Sequence, residues 1–182
     1  PVPLIGHSFG AALALRIAVE RPYRVSSLVL IEPVFFAAAK GRWGYDKIVR
    51  DTAAFHKKMK ASQFATAAKE FLEIWGDGTP WADLPADTKS YIIDRIETIP
   101  ANDTLLMEDR PGLLDPGRLE ALEMPVTFVD GGNSHPVIAD IISELGDRIA
   151  EAEWFTVPDA GHMVPITHPE MVARAIEGRL FV

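Results

Sequence analysis

The sequence predicts an α/β fold: a mostly parallel sheet with helices on both faces, interrupted by an all-helical insertion. Two observations carry this prediction. Short apolar runs (VPLIG, SSLVLIEP, MPVTFVDGG and EAEWFTV) alternate with stretches of helical length and period. The first three are continuously apolar rather than alternating, the pattern of strands buried on both faces. The second observation is that residues 36–112, between the second and third of these runs, contain no convincing strand.

Taken in order, VPLIG at residues 2–6 reads as a strand and FGAALALRIAVERP as a helix closed by Pro22. SSLVLIEP is a second strand, stopped by Pro33. The insertion holds helical stretches at YDKIVRDTAAFHKKMK, SQFATAAKEFLEIW and ADTKSYIIDRIETI, separated by the turn-rich GDGTPWADLP. MPVTFVDGG is a third strand, and HPVIADIISELGDRIA is a helix of about four turns. EAEWFTVPDAGH reads as a last strand and loop, and PEMVARAIEGRLFV as a closing helix with Pro169 in its first turn. The order β-α-β, insertion, β-α-β-α requires right-handed crossovers between parallel strands. It divides the chain into core segments 1–35 and 113–182 around an insertion, 36–112. The insertion carries Trp43, Phe55, Phe64, Phe71, Trp75, Trp81 and Tyr91, expected to form its own core or to lie over a site.

Composition narrows the function. With 26 acidic against 18 basic residues and a net charge of −8, nothing marks a surface for phosphate backbones or anionic lipid, so nucleic acid and membrane are not expected partners. No run reaches the ~18 apolar residues of a membrane span. The most apolar one, LVLIEPVFFAAA, is broken by Glu32 and Pro33. The absence of cysteine removes thiolate nucleophiles and cysteine metal sites and leaves the redox compartment open. The chain starts at Pro1 and enters an apolar run at once, which reads as a chain cut at its start; a cytoplasmic location is then only the default. A small molecule is the expected partner, no cofactor or metal is expected, and oligomeric state is left open.

Chemistry concentrates at Gly6-His7-Ser8-Phe9-Gly10, a G-x-S-x-G between a strand and a helix. A serine held in a strained turn there stands clear of the sheet, and small flanking residues are expected because a Cβ at either glycine would meet backbone. The following helix opens with Gly10-Ala11-Ala12, and its N-terminal dipole favours negative charge near Ser8.

On this motif the sequence resembles the α/β-hydrolase family, serine hydrolase branch. Ala160-Gly161-His162-Met163-Val164-Pro165, after the last strand, is similar to the loop that carries the family's catalytic histidine. The resemblance implies Ser8 as nucleophile, His162 as its base and the Phe9 amide in the oxyanion hole. It also makes VPLIG the fifth of eight strands, so the earlier strands, with the loop supplying a second oxyanion amide, are absent from this sequence. His168, beside Thr167 and Pro169 at a helix start, competes with His162 and reads better as a capping or packing residue. His7 is expected to shape the pocket floor, and His56 to lie on exposed surface of the insertion.

The acid departs from the family pattern. At the usual position after the seventh strand stands Ser134, which cannot balance an imidazolium. Two carboxylates at strand ends remain, where ligand crevices form: Glu32 in VLIEP and Asp130 in VTFVDGG. Some subgroups, haloalkane-dehalogenase-like enzymes among them, keep their acid at the position of Glu32. Glu32 is preferred because Asp130 lies earlier in its strand and its alternation relative to Ser134 points it elsewhere; a dyad, or an acid other than these two, stays open.

The expected reaction is hydrolysis of a small-to-medium hydrophobic ester, thioester or amide through an acyl-enzyme on Ser8. Carbon–carbon bond hydrolysis with the same triad, or non-catalytic binding of a small molecule on the same fold, are the alternatives.

Overall fold

In the computed structural model, which describes residues 1–179, four parallel strands form one sheet in the order β1-β2-β3-β4. Strand β1 (Val2–His7) leads into helix α1 (Phe9–Glu20), and β2 (Val25–Ile31) follows. The insertion contributes α2 (Trp43–Asp51), α3 (Ala53–Lys60), α4 (Phe64–Trp75), α5 (Ala86–Ile93) and the single turn α6 (Asp103–Leu106). Then come β3 (Val126–Gly131), α7 (Val137–Arg148), β4 (Ala152–Val157), α8 (Val164–Thr167) and α9 (Pro169–Ile176). Parallel neighbours cannot be joined by tight turns, so a helix or the insertion fills every crossover.

Alternation along β2 and β3 divides the core between the two faces of the sheet. Leu28, Leu30, Val126 and Phe128 pack with Ala12 and Leu15 of α1 and Ile138, Ile141 and Leu145 of α7. Val29, Ile31, Val129 and Val157 point the other way, against Val164 and Val172 of the two last helices. Burying a side chain such as Leu28 or Phe128 fully is worth about 1.5–3 kcal/mol, so both faces hold the strands in register.

Several elements differ from the sequence expectation. YDKIVRDTAAFHKKMK is two helices, α2 and α3, that meet at Thr52, whose hydroxyl and N–H both donate to the carbonyl of Ile48, at 2.7 and 2.9 Å, a pairing that bends a helix. ADTKSYIIDRIETI is α-helical only to Ile93 and continues as a 3-10 turn at Ile96–Thr98. The closing helix ends at Ile176, where Glu177 turns extended and Gly178 takes a φ of 80°. The rest of that expected helix, residues 180–182, lies outside the described residues.

The insertion has a small core of Phe55, Ala67, Ala68 and Ile96, while Ile48, Trp75, Leu105 and Leu106 join the core of the sheet. Of its aromatic residues, Trp43 and Tyr91 are exposed (63% and 59%) and stand outside both clusters.

Candidate active site

The site is assembled at the carboxyl ends of the four strands. Ser8 follows β1 with φ 56° and ψ −122°, a conformation that L-residues avoid, and its N–H donates to the carbonyl of Ile31 at 2.9 Å. That bond fastens the turn to β2. Gly6 makes the turn possible: a Cβ there would lie 2.3 Å from the carbonyl oxygen of Gly10. Gly10 itself differs from expectation, since a Cβ there meets nothing within 4 Å. The Phe9 amide stands in the first turn of α1, where N–H groups have no partner within the helix, directly after Ser8.

Glu32 follows β2 by one residue, again with positive φ (51°), and its N–H donates to the carbonyl of Val129 at 2.8 Å. Its carboxylate is fully buried, among the described residues pairs with no Lys or Arg, and is held by hydrogen bonds. Oε1 accepts from the Gly131 N–H at 2.7 Å and from the Ser134 hydroxyl at 2.6 Å, and Oε2 lies 2.9 Å from His162 Nδ1. Ser134, in the place usual for the family's acid, thus supports the carboxylate of another strand.

His162 lies on the loop after β4, 5% exposed, with Nε2 2.8 Å from Ser8 Oγ. An ionised Glu32 only accepts, so the neutral imidazole carries its proton on Nδ1 and takes the Ser8 hydroxyl hydrogen bond at Nε2. Backbone bonds place the loop: Gly132 N–H donates to Val157 O and Asn133 N–H to Ala160 O, at 2.9 and 2.8 Å. Gly131 must lack a side chain for this, because a Cβ would come within 2.3 Å of the Ala160 carbonyl oxygen. His7 Nε2 donates to the His162 carbonyl at 2.8 Å, and burial lowers the pKa of His7, favouring its neutral form.

Asp130 is also buried, at 5% exposure, but its Oδ1 accepts from Trp154 Nε1 at 2.9 Å on β4. Burial raises its pKa above the ordinary carboxylate value, with the nearby charge of Glu32 adding to the rise. The structure brings Ser8, His162 and Glu32 together and turns Asp130 away.

Two cavities flank the site. One of about 260 Å³ begins at Ser8 and Phe9 and runs between apolar side chains that include Val34, Phe36, Phe55, Phe71, Trp75 and Leu106. A larger, more polar cleft of about 790 Å³ is bordered by Ser134, His135, His162, Lys69, Glu73 and Asp77. His56, expected on open surface, is half-buried and borders the apolar cavity. His168 occupies the N-cap position of α9 through its carbonyl, while its ring is hydrogen-bonded to Thr167 Oγ1 at 2.8 Å rather than to the helix amides.

The sequence reading missed the Gly131 amide, the Ser134 hydroxyl and Trp75, whose ring centroid lies 4.7 Å from that of His162. Among the described residues no group of three or more His, Asp or Glu is arranged to hold a metal, and no helix is long and apolar enough to cross a membrane.

Comparison with known proteins fits this arrangement. The chain is 28% identical over 192 residues to an sn-1-specific diacylglycerol lipase of Mus musculus, covering 93% of this chain and 56% of that protein. It is 30% identical over 191 residues to Lipase LipV of Mycobacterium tuberculosis, covering 99% of this chain and 69% of the lipase. The chain therefore spans somewhat over half to two thirds of the length of these relatives. Among solved structures, a bacterial membrane phospholipase A superposes with a TM-score of 0.63 at 20% identity, over 98% of this chain and 56% of the other. A thermophilic esterase gives a TM-score of 0.61 at 19% identity, over 95% and 63%. At such identities these two likenesses speak for the fold alone. The model of the alpha/beta hydrolase family matches residues 3–175, nearly the whole sequence, and the chain belongs to that family.

Proposed function

We propose that the protein is a serine hydrolase of small-to-medium hydrophobic esters, thioesters or amides, with Ser8 as nucleophile, His162 as general base and Glu32 as the acid. The single observation that carries this reading is the continuous hydrogen-bonded chain from Ser8 Oγ through both nitrogens of His162 to Glu32. In the first half-reaction His162 Nε2 takes the Ser8 proton as Oγ bonds to the substrate carbonyl carbon, and the oxyanion so formed meets the Phe9 amide. The protonated imidazole, balanced by Glu32, then gives its proton to the leaving oxygen, sulfur or nitrogen as that bond breaks. Water repeats the sequence on the acyl-enzyme and releases the acid, returning Ser8 to its starting state.

The apolar cavity beside Ser8 supports an acyl group of modest size, since it lies near the lower end of the volumes that hold small ligands. The lipase and esterase names of relatives agree with this substrate class. In the same reading residues 36–112 form a cap over the site, because Phe55, Phe71, Trp75 and Leu106 wall the cavity from that side. Core segments 1–35 and 113–182 carry the reacting groups.

The test is fluorophosphonate labelling of the full-length protein, with Ser8→Ala alongside. Rapid labelling that disappears in Ser8→Ala is the expected result. A folded full-length protein that takes up no label overturns the reading in favour of non-catalytic binding.

A further inference from the structure

We infer that Trp75 is a positioning residue for His162 and part of the wall of the acyl cavity, so that the insertion sets both the rate of the reaction and the length of acyl chain accepted. The inference rests on the acyl-transfer reading above.

The two hydrogen bonds to His162 act at its nitrogens, in the plane of the ring, and do little to resist tilting of that plane. Tilting is resisted by whatever packs against the ring. Two rings do so: the His7 ring lies 5.1 Å from that of His162 at 37°, and the Trp75 ring lies closer, at 4.7 Å and 67°, within the range of favourable edge-to-face pairs. The indole is itself held from behind. It is 6% exposed, with the Phe36 ring at 5.9 Å and the His135 ring at 6.1 Å. His135 is in turn fixed at both nitrogens, by the Val137 N–H donating to Nδ1 at 3.2 Å and by Asp51 3.1 Å from Nε2. Trp75 therefore stands between a tethered imidazole and the one that must accept the Ser8 proton.

Its place along α4 adds the second role. Trp75 borders the apolar cavity that begins at Ser8, whereas its chain neighbours Ile74 and Gly76 border the polar cleft on the other side. The indole is thus part of the partition between the two spaces. Removing it would let the apolar cavity run on toward the larger cleft, while the imidazole would keep only the His7 ring against it. A residue serving only the core would do neither.

The experiment compares full-length wild-type protein with Trp75→Ala and Trp75→Phe, using p-nitrophenyl esters from acetate to palmitate and counting competent sites by fluorophosphonate titration. Acetate carries the smallest acyl group of the series, so it depends least on the wall and reports chiefly on positioning. In Trp75→Ala, kcat per titrated site on acetate falls by about 10- to 100-fold with little change in KM, the scale expected when a reacting group is misplaced by about an ångström. Trp75→Phe recovers most of that loss. The chain-length optimum of Trp75→Ala moves to longer acyl groups. An unchanged kcat on acetate per titrated site, or an unmoved chain-length optimum, overturns the inference. Should Trp75→Ala not fold, Trp75→Leu, which keeps apolar bulk without the ring, carries the same comparison. Wild-type protein that neither labels nor cleaves any ester would instead defeat the underlying acyl-transfer reading.

Discussion

Glu32 and Asp130 end adjacent parallel strands, both buried, both carboxylates, yet their surroundings differ. Glu32 lies just beyond β2 in a left-handed conformation, and three donors meet its carboxylate, Gly131 and Ser134 at the end of β3 and His162 on the β4 loop. Asp130 is still within β3, on the face of Phe128 and Val126, and spends its acceptor on the indole of Trp154. Burial is common to the two and so does not separate them. One residue of strand length and a kink in the backbone do, by deciding which carboxylate a histidine can reach.

The most direct way to break this comparison is Glu32→Gln. The amide would donate to His162 Nδ1, leave the proton of the ring on Nε2 and deny Ser8 its base, so kcat should fall by about 10² to 10⁴ while the fold is retained. Steady-state kinetics on the full-length protein checks this; near-normal turnover would transfer the role elsewhere. Ser134→Ala sharpens the comparison at smaller scale. It removes one of the three hydrogen bonds to Glu32, and a loss of roughly 1.4 kcal/mol in holding the charge corresponds to about a tenfold fall in kcat.

Asp130→Asn should have the smallest effect on rate, leaving kcat close to wild type, and its effect appears in stability. Because burial raises the folded-state pKa of Asp130, the folded protein binds more protons than the unfolded chain between the ordinary value of 3.8 and the raised one. Stability from this group is therefore greatest at low pH and falls as pH rises through that window. Asparagine carries no such penalty, and its amide oxygen still accepts the Trp154 N–H. Melting curves should show Asp130→Asn above wild type at neutral pH, with the gap closing as pH drops below 3.8. A lower melting temperature at neutral pH would mean that the charge itself is needed there.

Much of this arrangement could be read in the residues beforehand, and the reasons are local. Continuous apolar runs betray strands covered on both faces, and the G-x-S-x-G between strand and helix marks Ser8 because few other geometries need that spacing. Strand-end positions named Glu32 and Asp130 as the two candidate acids, and alternation only inclined the choice toward Glu32. What stayed hidden depends on contacts across the fold. Nothing in WGDGTPW shows that Trp75 will meet His162, 87 residues later, since that contact exists only once α4 is laid against the β4 loop. The Gly131 amide is equally silent in sequence, as any residue has an N–H. Gly10 shows the opposite error, a glycine whose place in a motif suggested a steric need that its surroundings do not impose. The break at Thr52, where one hydroxyl bonds back to Ile48, is local geometry that helical periodicity does not encode.

The separation in sequence between Ser8 and His162 also governs when the site can exist. Their hydrogen bond closes a span of 154 residues, and Glu32 reaches His162 across 130. Contacts of such range cost loop-closure entropy before they return any energy, so they form late when a chain folds. During synthesis α1 and its two flanking strands can collapse while the ribosome is still adding α7, but the base emerges only after β4. Recovery of serine reactivity after dilution from denaturant should accordingly trail the recovery of helical signal, making the nucleophile a reporter of finished tertiary structure.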